Sequence, residues 1–303
     1  MFIFLLTKES VPMDLLTKAK TEGLLFDGAF GSLLMQRGLP QGANPELWCL
    51  EHPEVVTQIH ANYLKAGADV VTANTFGASP LKLQKNGLRE RTKEINLQMV
   101  ALAQKVIQPG QFVAADIGPT GEMLQPFGLL SRAAAVANYA EQAQYLVASG
   151  IDFFIIETMF DLNEALAALE GIRQVSNLPV FASMTFEKKA SGFVTVMGNR
   201  AADAMRRLQA AGATAVGANC SLGSVQMISL AQEIRQAVDG LVVIQPNAGL
   251  PILDHGQLHY PETPETFADN LLQIKSLGVE IIGGCCGTTP EYIHLIRQRL
   301  NAT

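Results

Sequence analysis

The sequence predicts an α/β fold, a (β/α)8 TIM barrel, and three observations carry that prediction. A short run rich in Val, Ile, Phe and Ala, followed by a turn and a helical stretch, recurs eight times along 303 residues. These runs are apolar almost throughout instead of alternating, as strands covered on both faces of a parallel sheet are. The helix-to-strand joints repeat a phrase, AGAD, SGID, AGAT and LGVE, whose Gly67, Gly150, Gly212 and Gly278 suit left-handed helix caps.

The predicted strands, in order, are Leu24–Asp27, Asp69–Ala73, Phe112–Asp116, Asp152–Glu157, Val180–Thr185, Ala213–Asn219, Leu241–Gln245 and Val279–Gly283. Between them lie amphipathic helices: Tyr139, Ala143, Leu146 and Val147 share one face, as do Met227, Leu230, Ala231, Ile234 and Val238. Asp161 with Glu164 reads as a capping box. An open doubly wound sheet is the runner-up, but it has fewer strands and its GxGxxG fingerprint is missing after the first one. MDLLTKAK reads as a first helical turn, which makes Met13 an alternative start and residues 1–12 an N-terminal extension. Residues 13–303 then form one barrel, with no proline-rich linker between units.

Apolar residues make up 48% of the chain and charged residues 17%, enough for a large core and too few charges for long disordered tails. The net charge of −6 argues against broad contact with nucleic acid or anionic membrane. MFIFLL is too short for a signal peptide and no run reaches membrane-helix length, so a cytoplasmic protein is expected. In a reducing compartment the four cysteines are not expected to form structural disulfides.

Barrel chemistry sits at the C-terminal ends of the strands. Cys220 ends the sixth strand in GANCSLG, and Cys285 and Cys286 end the eighth in GGCCG, so all three face the same mouth. Neighbouring strand residues point to opposite faces, so the pair can share one ion only if the backbone leaves strand geometry, which Gly283, Gly284 and Gly287 permit. An all-sulfur set selects zinc over magnesium or calcium, and three protein ligands leave an open position. Such a site, already at charge −1, still deprotonates a bound thiol and keeps its sulfur electron-rich, which suits thiol alkylation. A vicinal disulfide or three small buried residues are the bland alternatives. Cys49 stands apart and reads as packing.

With these residues quoted, the chain resembles the homocysteine S-methyltransferase family from about Leu24 to about Leu300, through LLFDGAFGS, ADVVTANTFGAS, DIGPTGEML, GANCSLG, PNAGLP and GGCCGTTPEYI. ANTFGAS, GPTGEML and PNAGLP are most similar to the homocysteine module of cobalamin-dependent methionine synthases. The resemblance implies a zinc site of Cys220, Cys285 and Cys286, with Asn247 as a weak fourth ligand until substrate displaces it. It implies homocysteine as acceptor and methylcobalamin on a partner corrinoid protein as donor, since eight βα units leave little chain to enclose a corrinoid. The alternative is S-methylmethionine or another small onium donor, as in the stand-alone branches.

Homocysteine also brings an ammonium and a carboxylate. Asp27 and Glu157, ending the first and fourth strands, are the expected ammonium partners. The backbone amides of Gly28 and Ala29 and the hydroxyl of Thr75 are the expected carboxylate donors. His255 and His259 read as loop residues because Gly256 and Pro261 break any helix there; His52, His60 and His294 read as ordinary helix positions. A structural zinc protein would need a fourth strong ligand, and a thiol redox enzyme a CxxC motif; neither is evident.

Overall fold

Eight parallel strands close on themselves in the computed structural model, which describes residues 14–254 and 257–302. They are β1 (Leu24–Leu25), β2 (Val70–Ala73), β3 (Phe112–Ile117), β4 (Phe153–Met159), β5 (Val180–Met184), β6 (Ala215–Gly223), β7 (Leu241–Asn247) and β8 (Ile281–Ile282). Each pairs with its sequence neighbours, β1 pairs with β8, and a parallel bridge from Phe26 to Val70 joins β1 to β2. Eight outer helices follow the strands: α1 (Pro53–Ala66), α2 (Thr92–Gln104), α3 (Arg132–Ala148), α4 (Leu162–Val175), α5 (Ala201–Ala210), α6 (Ser224–Ala237), α7 (Pro264–Ser276) and α8 (Pro290–Ala302). The expected barrel is the observed one, and every predicted run contains its strand core. The expectations for residues 1–12, Met13 and His255 lie outside the described residues. His259 falls in a small hairpin, Ile252–Asp254 with Gln257–His259, between β7 and α7. None of the described helices is long and apolar enough to cross a membrane.

Both strand faces are apolar because each has a core to fill. Inward residues such as Phe26, Val70, Ala114, Phe153, Ile155, Phe181 and Val243 form the barrel interior, where the Phe153 and Phe181 rings sit 4.5 Å apart. Outward residues pack under the helices. Burying one such phenylalanine stabilises the fold by about 1.5–3 kcal/mol. An N-terminal helix, Leu15–Thr21, adds Leu15 and Ala19 to the inner cluster. Its Lys18 reaches Asp69 at 2.7 Å, and Arg297 of α8 reaches the same carboxylate at 2.6 Å, so Asp69 ties both ends of the described chain to β2.

The four joint glycines take the left-handed conformation, with φ of 106° at Gly67, 78° at Gly150, 96° at Gly212 and 88° at Gly278. The capping box does not form. Asp161 caps α4 through the Asn163 amide, but Glu164 turns into the interior and accepts from Thr120 N (2.8 Å), Thr120 Oγ1 (2.6 Å) and the Tyr139 hydroxyl (2.9 Å). A buried carboxylate takes the strongest donors within reach, and these lie on other elements.

Side chains alternate with period two, so the inward face continues upward from apolar to polar. Two residues beyond Val70, Ala114, Ile155, Phe181 and Val243 stand Thr72, Asp116, Glu157, Ser183 and Gln245, and Asn219 takes the equivalent place on β6. Of this polar ring, Thr72, Asp116, Glu157 and Gln245 line the cavity described below.

Candidate active site

The thiol cluster is built where two strands stop being regular. On β6 the register shifts between Asn219 and Gly223, and Cys220 and Ser221 take left-handed φ values of 57° and 60°. That conformation is uncommon for non-glycine residues and is held only when the surroundings enforce it. Thr158 on β4 is left-handed as well, at φ 59°. One side chain binds the two irregular segments together. Asn219 accepts from Thr158 N and donates to Thr158 Oγ1, each at 2.8 Å, and accepts from Ser183 Oγ at 2.7 Å.

Opposite, β8 gives way to a loop stitched onto β7. The Cys285 amide donates to Pro246 O (2.7 Å), the Cys286 amide to Asn247 Oδ1 (3.1 Å), and the Ala248 amide to Cys286 O (2.9 Å). Gly287 is left-handed, and a Cβ there would collide with the Tyr260 ring. The three sulfurs converge to within 4.8 Å of one another, and those of Cys220 and Cys286 are 3.9 Å apart. A tetrahedral ion with Zn–S bonds of about 2.3 Å separates its sulfurs by roughly 3.8 Å, so the cluster fits such an ion in spacing and in donor chemistry. Hydrogen bonding with the neighbouring Cys285 and Cys286 sulfurs lowers the proton affinity of the Cys220 thiol. Cys49 is fully buried and accepts from Asn74 Nδ2 at 3.2 Å, away from the sulfur cluster.

The sulfurs form one wall of a cavity of about 400 Å³. Asp27, Glu46, Asp116 and Glu157 line it, and no lysine, arginine or histidine among the described residues does. Burial pushes Asp27 up to about 7, against the lowering effect of Thr72 N and Oγ1 at 2.8 and 2.9 Å. Burial raises Glu157 to about 8, with the Cys220 and Asp27 charges adding to it. Asp116 is pushed well above the carboxylate range, first by burial and then by Glu157 and Asp27. Glu46 is raised by burial and partly compensated by Lys82.

Gly28 and Ala29 line this cavity. The Gly28 amide has no partner among the described residues, whereas the Ala29 amide donates to Thr288 Oγ1 at 3.2 Å. Thr75 is placed elsewhere. Its buried hydroxyl accepts from Asp116 N (2.9 Å) and donates to Asp116 O (2.8 Å), joining β2 to β3, and it does not line the cavity. The threonine that meets the cavity is Thr72. Asn247 is buried behind the cysteines, with one oxygen lone pair on the Cys286 amide and one left over. Sequence reasoning passed over Thr72, Asp116 and Asn219; their signal was a polar residue on the inward parity of an apolar run. It also passed over Tyr260, whose hydroxyl lies against the Cys286 sulfur.

A sequence model described as homocysteine S-methyltransferase matches residues 24–300. The chain belongs to the homocysteine S-methyltransferase family. Homocysteine S-methyltransferases move a methyl group onto a thiol, which places this chain among the methyl-transferring enzymes. It is 31% identical over 300 residues to a methionine synthase of Mycobacterium tuberculosis and 29% identical to that of Mycobacterium leprae. Those alignments take in 92% of this chain but only 25% and 24% of the relatives, so the chain spans about a quarter of their length. In three dimensions it is similar to the metallated homocysteine methyltransferase MmuM from Escherichia coli, with a TM-score of 0.76 and 25% identity, covering 92% of this chain and 97% of that one. Its oxidized form gives the same TM-score at 26% identity.

Proposed function

We propose that this chain binds zinc through Cys220, Cys285 and Cys286 and uses it to methylate homocysteine to methionine. The observation that carries the reading is the convergence of three sulfurs on the wall of an acid-lined cavity of amino-acid size. Bound there, zinc would hold the acceptor sulfur as a nucleophilic thiolate at neutral pH. The chain's own residues do the rest. Asp27 and Glu157 accept the ammonium, whose positive charge offsets the burial that raises their proton affinities. The free Gly28 amide meets the carboxylate, beside Ala29. Asn247, a neutral and weak donor, would supplement the three cysteines in holding the metal through its second lone pair.

For the donor we propose methylcobalamin carried by a corrinoid protein. The support is the likeness to methionine synthases. In-line transfer asks only that the thiolate and the methyl group be positioned, and an open barrel mouth allows that approach. One observation favours a second reading, a small onium donor in the same mouth: four carboxylates face the cavity with no basic side chain among the described residues. The deciding experiment offers homocysteine with methylcobalamin, a methylated corrinoid protein, S-methylmethionine, S-adenosylmethionine or betaine, and measures methionine. Methionine from either corrinoid source is the expected result. Fast turnover of S-methylmethionine with none from the corrinoids would overturn the donor assignment, and no methionine from any donor would overturn the function.

A further inference from the structure

We propose that Asp116 is a third contact of the substrate ammonium, and that with Asp27 and Glu157 it makes the site select amino-acid thiols over plain alkyl thiols. The inference rests on the reading of homocysteine as acceptor.

Asp116 stands on the inward parity of β3, two residues beyond Ala114 of the barrel interior, and lines the cavity. Its residue is 6% exposed, and Oδ1 is buried without any hydrogen-bond partner. The main chain is fixed on both sides by Thr75 Oγ1, so the carboxyl is aimed and not free to retreat. The nearest compensating cation does not reach it. Lys82 lies over the Phe76 ring, 5.1 Å from its centroid, and donates to Pro119 O at 3.4 Å. A buried carboxyl left without donors is destabilising, and nothing in the packing requires one between Ala115 and Ile117. Such a group is retained where a ligand supplies the donors.

The cavity lacks donors in general. Gln245 Oε1 faces the same space and is likewise buried and unpartnered. A ligand that repairs this must be cationic and rich in N–H. An ammonium has three N–H groups, and the floor offers one carboxyl each from β1, β3 and β4. Asp27 already accepts from Thr72 with both oxygens, so it is the most committed of the three, whereas Asp116 Oδ1 accepts nothing. A thiol without the ammonium would leave Asp116 as unsatisfied as it is in the empty cavity, which is how a buried polar group generates discrimination.

The test titrates zinc-loaded wild type and Asp116→Asn with L-homocysteine and with 4-sulfanylbutanoate, which keeps the thiol and carboxylate and lacks the amine. We expect Asp116→Asn to weaken homocysteine binding by about tenfold to a hundredfold, the range for losing one charge-assisted bond, with 4-sulfanylbutanoate changed less than about twofold. KM for homocysteine should rise in step while kcat moves little. Should the asparagine variant fold poorly, Asp116→Ser is put through the same pair of titrations. Unchanged homocysteine binding, or equal losses for both thiols, would overturn the inference while leaving the methyltransferase reading intact. Failure of the wild type to bind homocysteine would strike that reading first, and this one with it.

Discussion

Asn219 and Thr158 are joined by two hydrogen bonds of 2.8 Å, running in opposite directions between one amide side chain and one left-handed residue. Each partner is the neighbour of a functional group, Asn219 of Cys220 and Thr158 of Glu157. The pair therefore couples the sulfur wall of the cavity to its acidic floor across β4 and β6. Asn219→Ala removes both bonds and the anchor that holds Cys220 at φ 57°. We predict a loss of zinc affinity of about 10–100-fold, the usual effect of deleting an outer partner of a metal ligand. Competition against a chromophoric chelator measures it; an unchanged affinity in the folded variant would show that the left-handed turn holds itself.

The purified protein should carry about one zinc per chain, and Cys220→Ala, Cys285→Ala or Cys286→Ala should each lose most of it. Elemental analysis decides this, and full zinc in all three variants would remove the site. Saturating homocysteine should add a fourth sulfur in the zinc X-ray absorption spectrum, in place of an oxygen or nitrogen. A first shell that does not change would count against thiol binding at the metal.

Thr75→Val should act on stability, because the hydroxyl bridges buried backbone atoms of Asp116. Leaving the Asp116 amide unsatisfied costs about 1–3 kcal/mol, visible as a lower urea midpoint. A variant of wild-type stability would show that this bridge does not support the fold.

His60 gives a pH prediction with a definite sign. It is fully buried on α1, tilted against Phe30 at 5.1 Å, and neither ring nitrogen has a partner. Burial depresses it from 6.5 to about 3 in the folded state. Between those values the unfolded chain binds a proton that the folded chain does not, so stability falls as pH drops, by about 1.4 kcal/mol per unit below 6.5. The raised Asp27 and Glu157 act with the opposite sign, since their folded forms hold protons more tightly. The comparison is therefore His60→Leu against wild type: their difference in unfolding free energy should shift in favour of the variant as pH falls from 6.5. A difference independent of pH would mean that His60 is not held neutral.

The eight strands were legible because both faces of a barrel strand meet apolar layers, and a continuous Val, Ile and Phe run records that locally. The joint glycines were legible for an equally local reason, the left-handed turn that ends each helix. The cysteines were legible by type and position, and the structure brings their three sulfurs to within 4.8 Å of one another. The capping box failed where the reason was remote: Thr120 and Tyr139 offered Glu164 better donors than its own helix. Thr75 was placed by the turn that follows β2, where the Thr75 amide bonds back to Ala73 and directs the hydroxyl toward β3 instead of the mouth.

Sequence by itself determined the order of βα units, the family and the candidate cysteine cluster, because periodicity, turn chemistry and residue type are properties of short segments. Only the tertiary structure decided which polar side chains share a space. Closure of the ring turns the inward parity of separate strands into one floor, and so brings Asp27, Asp116 and Glu157 together from β1, β3 and β4. It also withholds partners from Asp116 and supplies them to Glu164, a difference invisible in two acids that look alike in the chain. The physical reason is that desolvation and hydrogen bonding act through distance in space, and the barrel sets those distances across separations of tens to hundreds of residues.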